Sequence, residues 1–288
     1  MLERIFIYTG ALLASILTLL KIGIRSKLSL KTPQASAEEC IILGNGPSLK
    51  PLLTAHEQAL KSKELICVNK FPDTEFFTRL RPAHFIFVSP EYWINNPDDP
   101  HTANRQSIIA ALIKKTDWDI TLYCPYKGKA AKDWINNIRQ NKYIKIVFYN
   151  DTPIEGLPSW KRFFMRMGWG LPRPHNVLIP ALFVAINAGY KHIYLAGADH
   201  SWLPMISVND QNQALVNQQH FYDEHSSKSD LMYKLGVRPR RLHEILEKFM
   251  FTFRSYFDLK DYAESKGTKI YNSTPDSYID AFDRKSIF

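Results

Sequence analysis

Cysteine is scarce in this chain: Cys40, Cys67 and Cys124 are the only three in 288 residues. They are odd in number, each sits inside an apolar run, and none has the spacing of a metal ligand. A disulfide framework and a cysteine-based zinc site are thereby excluded, and the three read as buried thiols in a reducing compartment. Neither a GxGxxG fingerprint nor a Walker A loop occurs, and there is no nucleic-acid motif and no internal repeat, so nucleic acid is not expected as a partner. Acidic side chains are in deficit, 28 Asp and Glu against 37 Lys and Arg, for a net charge of +9 and a pI near 9.3. That balance favours anionic partners: acidic phospholipid, nucleotide phosphates or an acidic glycan. What is present, 45% hydrophobic and 13% aromatic residues, is enough for one sizeable core.

The first 24 residues are expected to be a membrane anchor. Residues 5–20 (IFIYTGALLASILTLL) are uncharged and apolar, bracketed by Arg4 and Lys21, and the run reaches Ile24 if Lys21 snorkels. Ala35-Ser36-Ala37 resembles a signal-peptidase site, but it lies well past the apolar run and behind Lys21, Arg25, Lys27 and Lys31, the wrong flank for a cleaved signal. Those four bases follow the run, whereas Arg4 before it is offset by Glu3. The positive-inside rule therefore places the rest of the chain on the cytoplasmic side of the cytoplasmic membrane. Residues 25–38 read as a basic, polar linker, and the folded domain as 39–288.

The domain opens on ECIILGNGPSLK, residues 39–50, which reads as strand, tight turn, helix. Residues 40–43 suit a fully buried parallel strand, and Pro47-Ser48 supply helix-start chemistry. Gly44 and Gly46 are expected to allow positive φ and close approach of a phosphate to backbone N–H groups, with Asn45 facing the ligand. Two further strands end on polar residues, LICV at Asn69 and FIFV at Ser89. In an open parallel sheet ligands bind beyond the carboxyl ends of the strands, where these residues fall.

Helices follow at 103–114 and 129–140, with strands at 120–124 and 144–148. An almost wholly apolar helix at 179–188 leads through Gly189 into strand 192–196, which ends at Gly197-Ala198-Asp199-His200. Residues 201–236 lose periodicity and become rich in Asn, Gln, His and Ser, the composition of an active-site lid. A long helix over about 239–266 carries an apolar face of Leu242, Ile245, Leu246, Phe249, Met250 and Phe253, expected to pack in the core. A last strand spans 268–271. The expected fold is α/β, a Rossmann-like single-domain parallel sheet in the manner of a GT-A variant, with a lid and the N-terminal membrane helix.

His220 and His225 stand in the polar segment with Tyr222, Asp223 and Glu224 between them. A zinc site is disfavoured because no third ligand falls at regular spacing, and a histidine base acting on an acceptor hydroxyl is the better reading. The motifs IILGNGPSLK, CVNKF, AINAGYKHIYLAGADH, the Tyr222-x-x-His225 pair and KIYNSTPDS, in that order, resemble glycosyltransferase family 42, the bacterial sialyltransferases that build surface glycans. The resemblance spans roughly residues 40–279. It implies a metal-independent inverting glycosyltransferase using a CMP-linked sugar donor, sialic acid or a related acidic sugar, and a glycan or glycolipid acceptor. It makes Asn45, Asn69, Ser89 and Tyr222 donor contacts and His225 the general base; Gly44, Gly46, Pro47 and Ser48 of the turn, and Asp199 and Ser201 after the later strand, are expected donor-site residues beside them. Arg173 and Asn176 fall near the family's donor-contacting Arg-x-Thr-Ser stretch. A departure follows Asp199, where the family has tyrosines for the leaving phosphate and this chain has His200, Ser201 and Trp202.

Two other classes stay open. The 6-hydroxymethylpterin diphosphokinase-like proteins share the G-x-G-P-S-L opening and a later G-x-D, which would imply a magnesium-dependent diphosphokinase with Asp199 and Asp223 or Glu224 on the metal. A non-catalytic, membrane-tethered nucleotide-sugar binding protein is the third.

Overall fold

The computed structural model describes residues 2–94, 100–217, 219–222, 229–234 and 238–288. Helix α1 (Leu2–Arg25) precedes a domain in which strands and helices alternate: β1 (Glu39–Leu43), α2 (Leu49–Leu60), β2 (Leu65–Val68), α3 (Phe76–Leu80), β3 (His84–Ile86), α4 (Pro100–Lys115), β4 (Ile120–Pro125), α5 (Lys132–Arg139) and β5 (Ile144–Tyr149). The chain continues with α6 (Pro158–Arg166), α7 (Leu178–Ala188) and β6 (His192–Ala196). It closes with α8 (Leu242–Ser265), β12 (Lys269–Asn272) and β13 (Asp283–Arg284) after five short strands in between.

Eight strands form one sheet in the order β13-β12-β6-β1-β2-β3-β4-β5, and every neighbouring pair is parallel. The seven expected strands are all present, and β13 is added at the edge. Parallel pairing forces the connections to cross over the sheet, which helices do on both faces except between β12 and β13, where residues 273–282 make the crossing without a helix. Because side chains alternate, β1 sends Cys40 and Ile42 into one apolar layer with α7 and α8, and Ile41 and Leu43 into the other with α2 and α4. α7 is apolar all round because it is buried all round, and Gly189 ends it at φ 92. All three cysteines are free and buried.

From β1 the strand order runs outward in both directions, through β2 on one side and β6 on the other. That is the switch point at which crevices open above the strand ends.

Three expectations need correction. The segment 201–236 is not structureless: β7 (Ile206–Val208), β8 (Ala214–Val216) and β9 (Asp230–Leu231) form a small antiparallel sheet, and β10 (Tyr233–Lys234) pairs with β11 (Arg238–Pro239). The strands are too short for hydrophobic periodicity to register. On α8, Leu242, Leu246 and Met250 are exposed, while the buried face is Ile245, Phe249, Thr252, Ser255, Tyr256 and Leu259. Two hydroxyls and a tyrosine on that face hid it from an apolar pattern. Helices α3 and α6 were not anticipated.

The stretch read as a linker is tied to the domain. Lys27 N–H donates to Asn150 Oδ1 at 2.9 Å, Ser26 Oγ–H to the Trp169 carbonyl at 2.6 Å, and Ala35 N–H to the Ala188 carbonyl at 2.9 Å.

Candidate functional site

A cleft of about 360 Å³ opens over the carboxyl ends of β1, β2, β3 and β6. The turns after those strands supply its floor through Gly44 to Pro47, Asn69, Ser89 and Gly197 to Ser201. The start of α7 and the first half of α8 form a wall, and Gln219 and His220 reach its mouth. A larger hollow of about 1000 Å³ lies among Trp93, Ile109 and Trp134 and holds none of the strand-end groups.

The turn after β1 is built differently from a phosphate-binding loop. Gly44 N–H donates to the Ala196 carbonyl at 2.7 Å and Gly46 N–H to the Gly197 carbonyl at 2.8 Å. Ser48 donates twice to Asp199, from N–H at 3.1 Å and from Oγ–H at 2.8 Å. The backbone donors expected to hold a phosphate are therefore spent on the turn after β6. Neither Gly44 nor Gly46 has positive φ among the described residues; the positive φ is at Gly197, 67°. Both glycines are required by packing instead: a Cβ on Gly44 would lie 2.3 Å from the Gly197 carbonyl oxygen, and one on Gly46 would lie 1.9 Å from Asp199 Oδ2. The two turns interlock to form the floor of the cleft.

Asn45 is the polar group this arrangement leaves over. Its Nδ2–H donates to the Val68 carbonyl at 3.1 Å, and its own carbonyl accepts from Phe221 N–H at 3.0 Å. Its Oδ1 is buried and has no partner, a condition that costs about 1–3 kcal/mol unless a ligand donor completes it. Asn69 stands beside it at φ 50, a left-handed position that asparagine tolerates.

The cleft is electropositive. Arg105 enters from α4, with its guanidinium over the Tyr92 ring at 5.2 Å and its buried Nε unpartnered. Lys248 enters from α8, where burial and then the charge of Arg240 pull its ammonium down to about 8. His175 is held neutral, near 4, by burial first and then by Lys248, Arg173 and Arg240. His200 is also pulled to about 4 by burial, and its Nε2 meets Tyr256 Oη at 2.7 Å. Against these stands Asp199, whose burial raises its pKa while the Ser48 hydrogen bonds oppose the rise.

No family model matches the chain, and no curated protein matches it. Among solved structures, that of the MAf glycosyltransferase from Magnetospirillum magneticum AMB-1 is similar over 95% of this chain, at 12% identity and a TM-score of 0.46. This chain spans 38% of that protein's length.

The sequence-named residues divide. Gly44, Asn45, Gly46, Pro47, Asn69, Ser89, Asn176, Asp199 and Ser201 all line the cleft. Ser48 faces Asp199 rather than the cleft. Asn176 is committed to structure: its Oδ1 accepts from Leu178 and Ile179 N–H at the start of α7, and its Nδ2–H reaches Tyr256 Oη at 2.8 Å. Arg173 is outside the lining, paired with Glu155 and lying over the Phe251 ring at 4.2 Å. Tyr222 also stands outside the lining, stacked on His220 at 5.1 Å. His225, with Asp223 and Glu224, lies outside the described residues. Sequence reading missed Arg105, His175 and Lys248. Each sits in a helix or loop with no motif around it, and only an isolated basic residue on an otherwise apolar helix face could have signalled Lys248.

Among the described residues no group of three or more His, Cys, Asp or Glu side chains is placed to share a metal ion.

Proposed function

We propose that this chain is a membrane-associated, inverting glycosyltransferase that binds a nucleotide-sugar donor in the cleft over β1, β2 and β6, on the cytoplasmic side of the membrane, and passes the sugar to a glycan or glycolipid acceptor. The observation that carries the reading is the charge arrangement at the switch point. Arg105 and Lys248 offer charge-assisted hydrogen bonds to phosphate, and the unpaired Asn45 Oδ1 awaits a donor such as a base amine or sugar hydroxyl. The anchor bearing four following bases and the motif resemblance support the membrane and sialyltransferase-like aspects, with a CMP-linked acidic sugar as donor.

The chemistry requires one bond to form and one to break. The acceptor hydroxyl oxygen attacks the anomeric carbon, the bond from that carbon to the nucleotide phosphate oxygen breaks, and the hydroxyl proton passes to a base. Arg105 and Lys248 would stabilise charge gathering on the departing phosphate without a metal. His225 is the base by the resemblance; His220 is the histidine at the mouth of the described cleft.

Binding of CMP, CDP, UDP and ATP to the full chain, with and without magnesium, tests the reading. Preference for a cytidine nucleotide without magnesium supports it. Magnesium-dependent ATP binding transfers the site to the diphosphokinase class, and nucleotide-sugar binding without turnover on any acceptor leaves only the binding-protein class.

A further inference from the structure

Helix α1 is long and apolar enough to cross a membrane, yet its second half is not free to do so. Ser15, Thr18 and Ile22 are buried along one face, and Ser26 continues the same stripe beyond the helix end. Thr18 Oγ1–H donates to the Glu155 carbonyl at 3.1 Å while Glu155 N–H donates back to Thr18 Oγ1 at 3.0 Å, and Leu157 N–H donates to Ser15 Oγ at 2.9 Å. Gly156, at φ 110, lets the two backbones meet: a Cβ there would fall 2.2 Å from Ser15 Oγ and 2.5 Å from Ser15 N. A polar seam of this closeness fixes α1 to the loop between β5 and α6.

What remains undocked is residues 2–14, about 20 Å of helix at about 1.5 Å per residue, short of the roughly 30 Å hydrocarbon core of a bilayer. The outward face of the docked half is nevertheless apolar: Ile16, Leu17, Leu19, Leu20 and Ile24 are exposed, Ile24 at 85%. That face continues onto the domain. Trp169 Nε1–H donates to the Leu28 carbonyl at 3.4 Å, and its ring meets Phe163 of α6 edge-on at 5.5 Å, with Leu28, Phe163 and Met167 exposed beside it. Exposed bases border the surface at Lys21, Arg25, Lys27 and Arg166.

We propose that α1 and the Phe163–Trp169 face form one monotopic seat that occupies a single leaflet of an anionic phospholipid bilayer, with the free half of α1 dipping into that leaflet and never reaching the far side. An apolar sheet of side chains bordered by lysine and arginine fits an acyl layer beneath acidic headgroups. The seat holds the domain against the membrane as a rigid body rather than on a tether. The inference rests on the membrane-associated reading above and refines it.

The test uses the full chain with Glu3→Cys or Ser29→Cys as the single accessible thiol, since the native cysteines are buried. Sealed membrane vesicles of both orientations are treated with an impermeant maleimide. The expected result is labelling of Ser29→Cys from the cytoplasmic face only, with Glu3→Cys never labelled from the opposite face. Labelling of Glu3→Cys from the opposite face overturns the single-leaflet seat but leaves the membrane reading intact. Recovery of both variants in the soluble fraction overturns both. In flotation with phosphatidylglycerol vesicles, Phe163→Ser with Met167→Ser should cut the bound fraction several-fold; parental binding removes the domain face from the seat.

Discussion

Raising the pH through 8 should discharge one of the two Lys and Arg side chains lining the described cleft. Burial, reinforced by Arg240, brings the Lys248 ammonium from its ordinary 10.5 to about 8. A terminal nucleotide phosphate has its second pKa near 6, so between pH 7 and 9.5 the ligand stays fully ionised and the protein alone titrates. At pH 9.5 only about 3% of a group titrating at 8 is protonated. If the phosphate binds the ammonium form, affinity should fall about 30-fold over that interval. The loss should level off at the worth of a charge-assisted hydrogen bond, about 1.5–3 kcal/mol or roughly 10–150-fold. Calorimetric titration of CMP at constant ionic strength measures this directly. Lys248→Met is the companion variant, expected to bind weakly at pH 7 and to lose the pH dependence. Stability of the unliganded protein should move the other way. The folded pKa lies below the unfolded one, so the unfolded chain holds more protons between about 8 and 10.5, and the Lys248 contribution to stability rises with pH across that window. A parental protein whose CMP affinity is flat from pH 7 to 9.5, or a Lys248→Met variant with parental affinity, would refute the placement of phosphate at Lys248.

Gly44→Ala should destabilise the fold by about 3 kcal/mol, because both atoms nearest the new Cβ, 2.3 and 2.8 Å away, are backbone of Gly197 and cannot rotate aside. With unfolding entropy near 2.1 cal/mol/K per residue, that lowers the melting temperature by roughly 5 °C in a thermal scan. Asn45→Ala and Asn69→Ala should each weaken nucleotide binding by about 1–3 kcal/mol, whereas Asn69→Gly should weaken binding equally yet spare stability, since glycine accepts φ 50; parental affinity in all three removes the strand-end asparagines from the site. His225→Ala should cut turnover about 10²–10⁴-fold with donor affinity intact, and His220→Ala far less; a reversed ranking in single-turnover assays makes His220 the base. Turnover should persist in EDTA, and an EDTA-sensitive activity would favour a metal-assisted transfer.

Most of the sheet was legible because its information is local. Strands β1, β2, β4, β5 and β6 are short apolar runs bounded by turn residues, and a βα alternation leaves a parallel sheet as the economical arrangement. The strand-end rule pointed to Asn45, Asn69 and Ser89 at one cleft, and all three line it together with Asp199. What the sequence could not determine was how those residues spend their polar atoms. Gly44 and Gly46 looked like room for a ligand, and only the interlock with Gly197 and Asp199 shows that the room is taken by the neighbouring turn. The cations of the cleft, Arg105 and Lys248, lie 143 positions apart on α4 and α8 and carry no motif; their meeting depends on which helix face the sheet covers. The same holds for α1, whose apolar composition is a local property, while its polar stripe of Ser15, Thr18 and Ser26 acquires meaning only against Leu157, Glu155, Thr152 and Trp169. Local pattern fixes elements, because the backbone within a few residues decides them. Burial and pairing are set by segments far apart in the chain, so tertiary structure alone decided which groups remain free to bind.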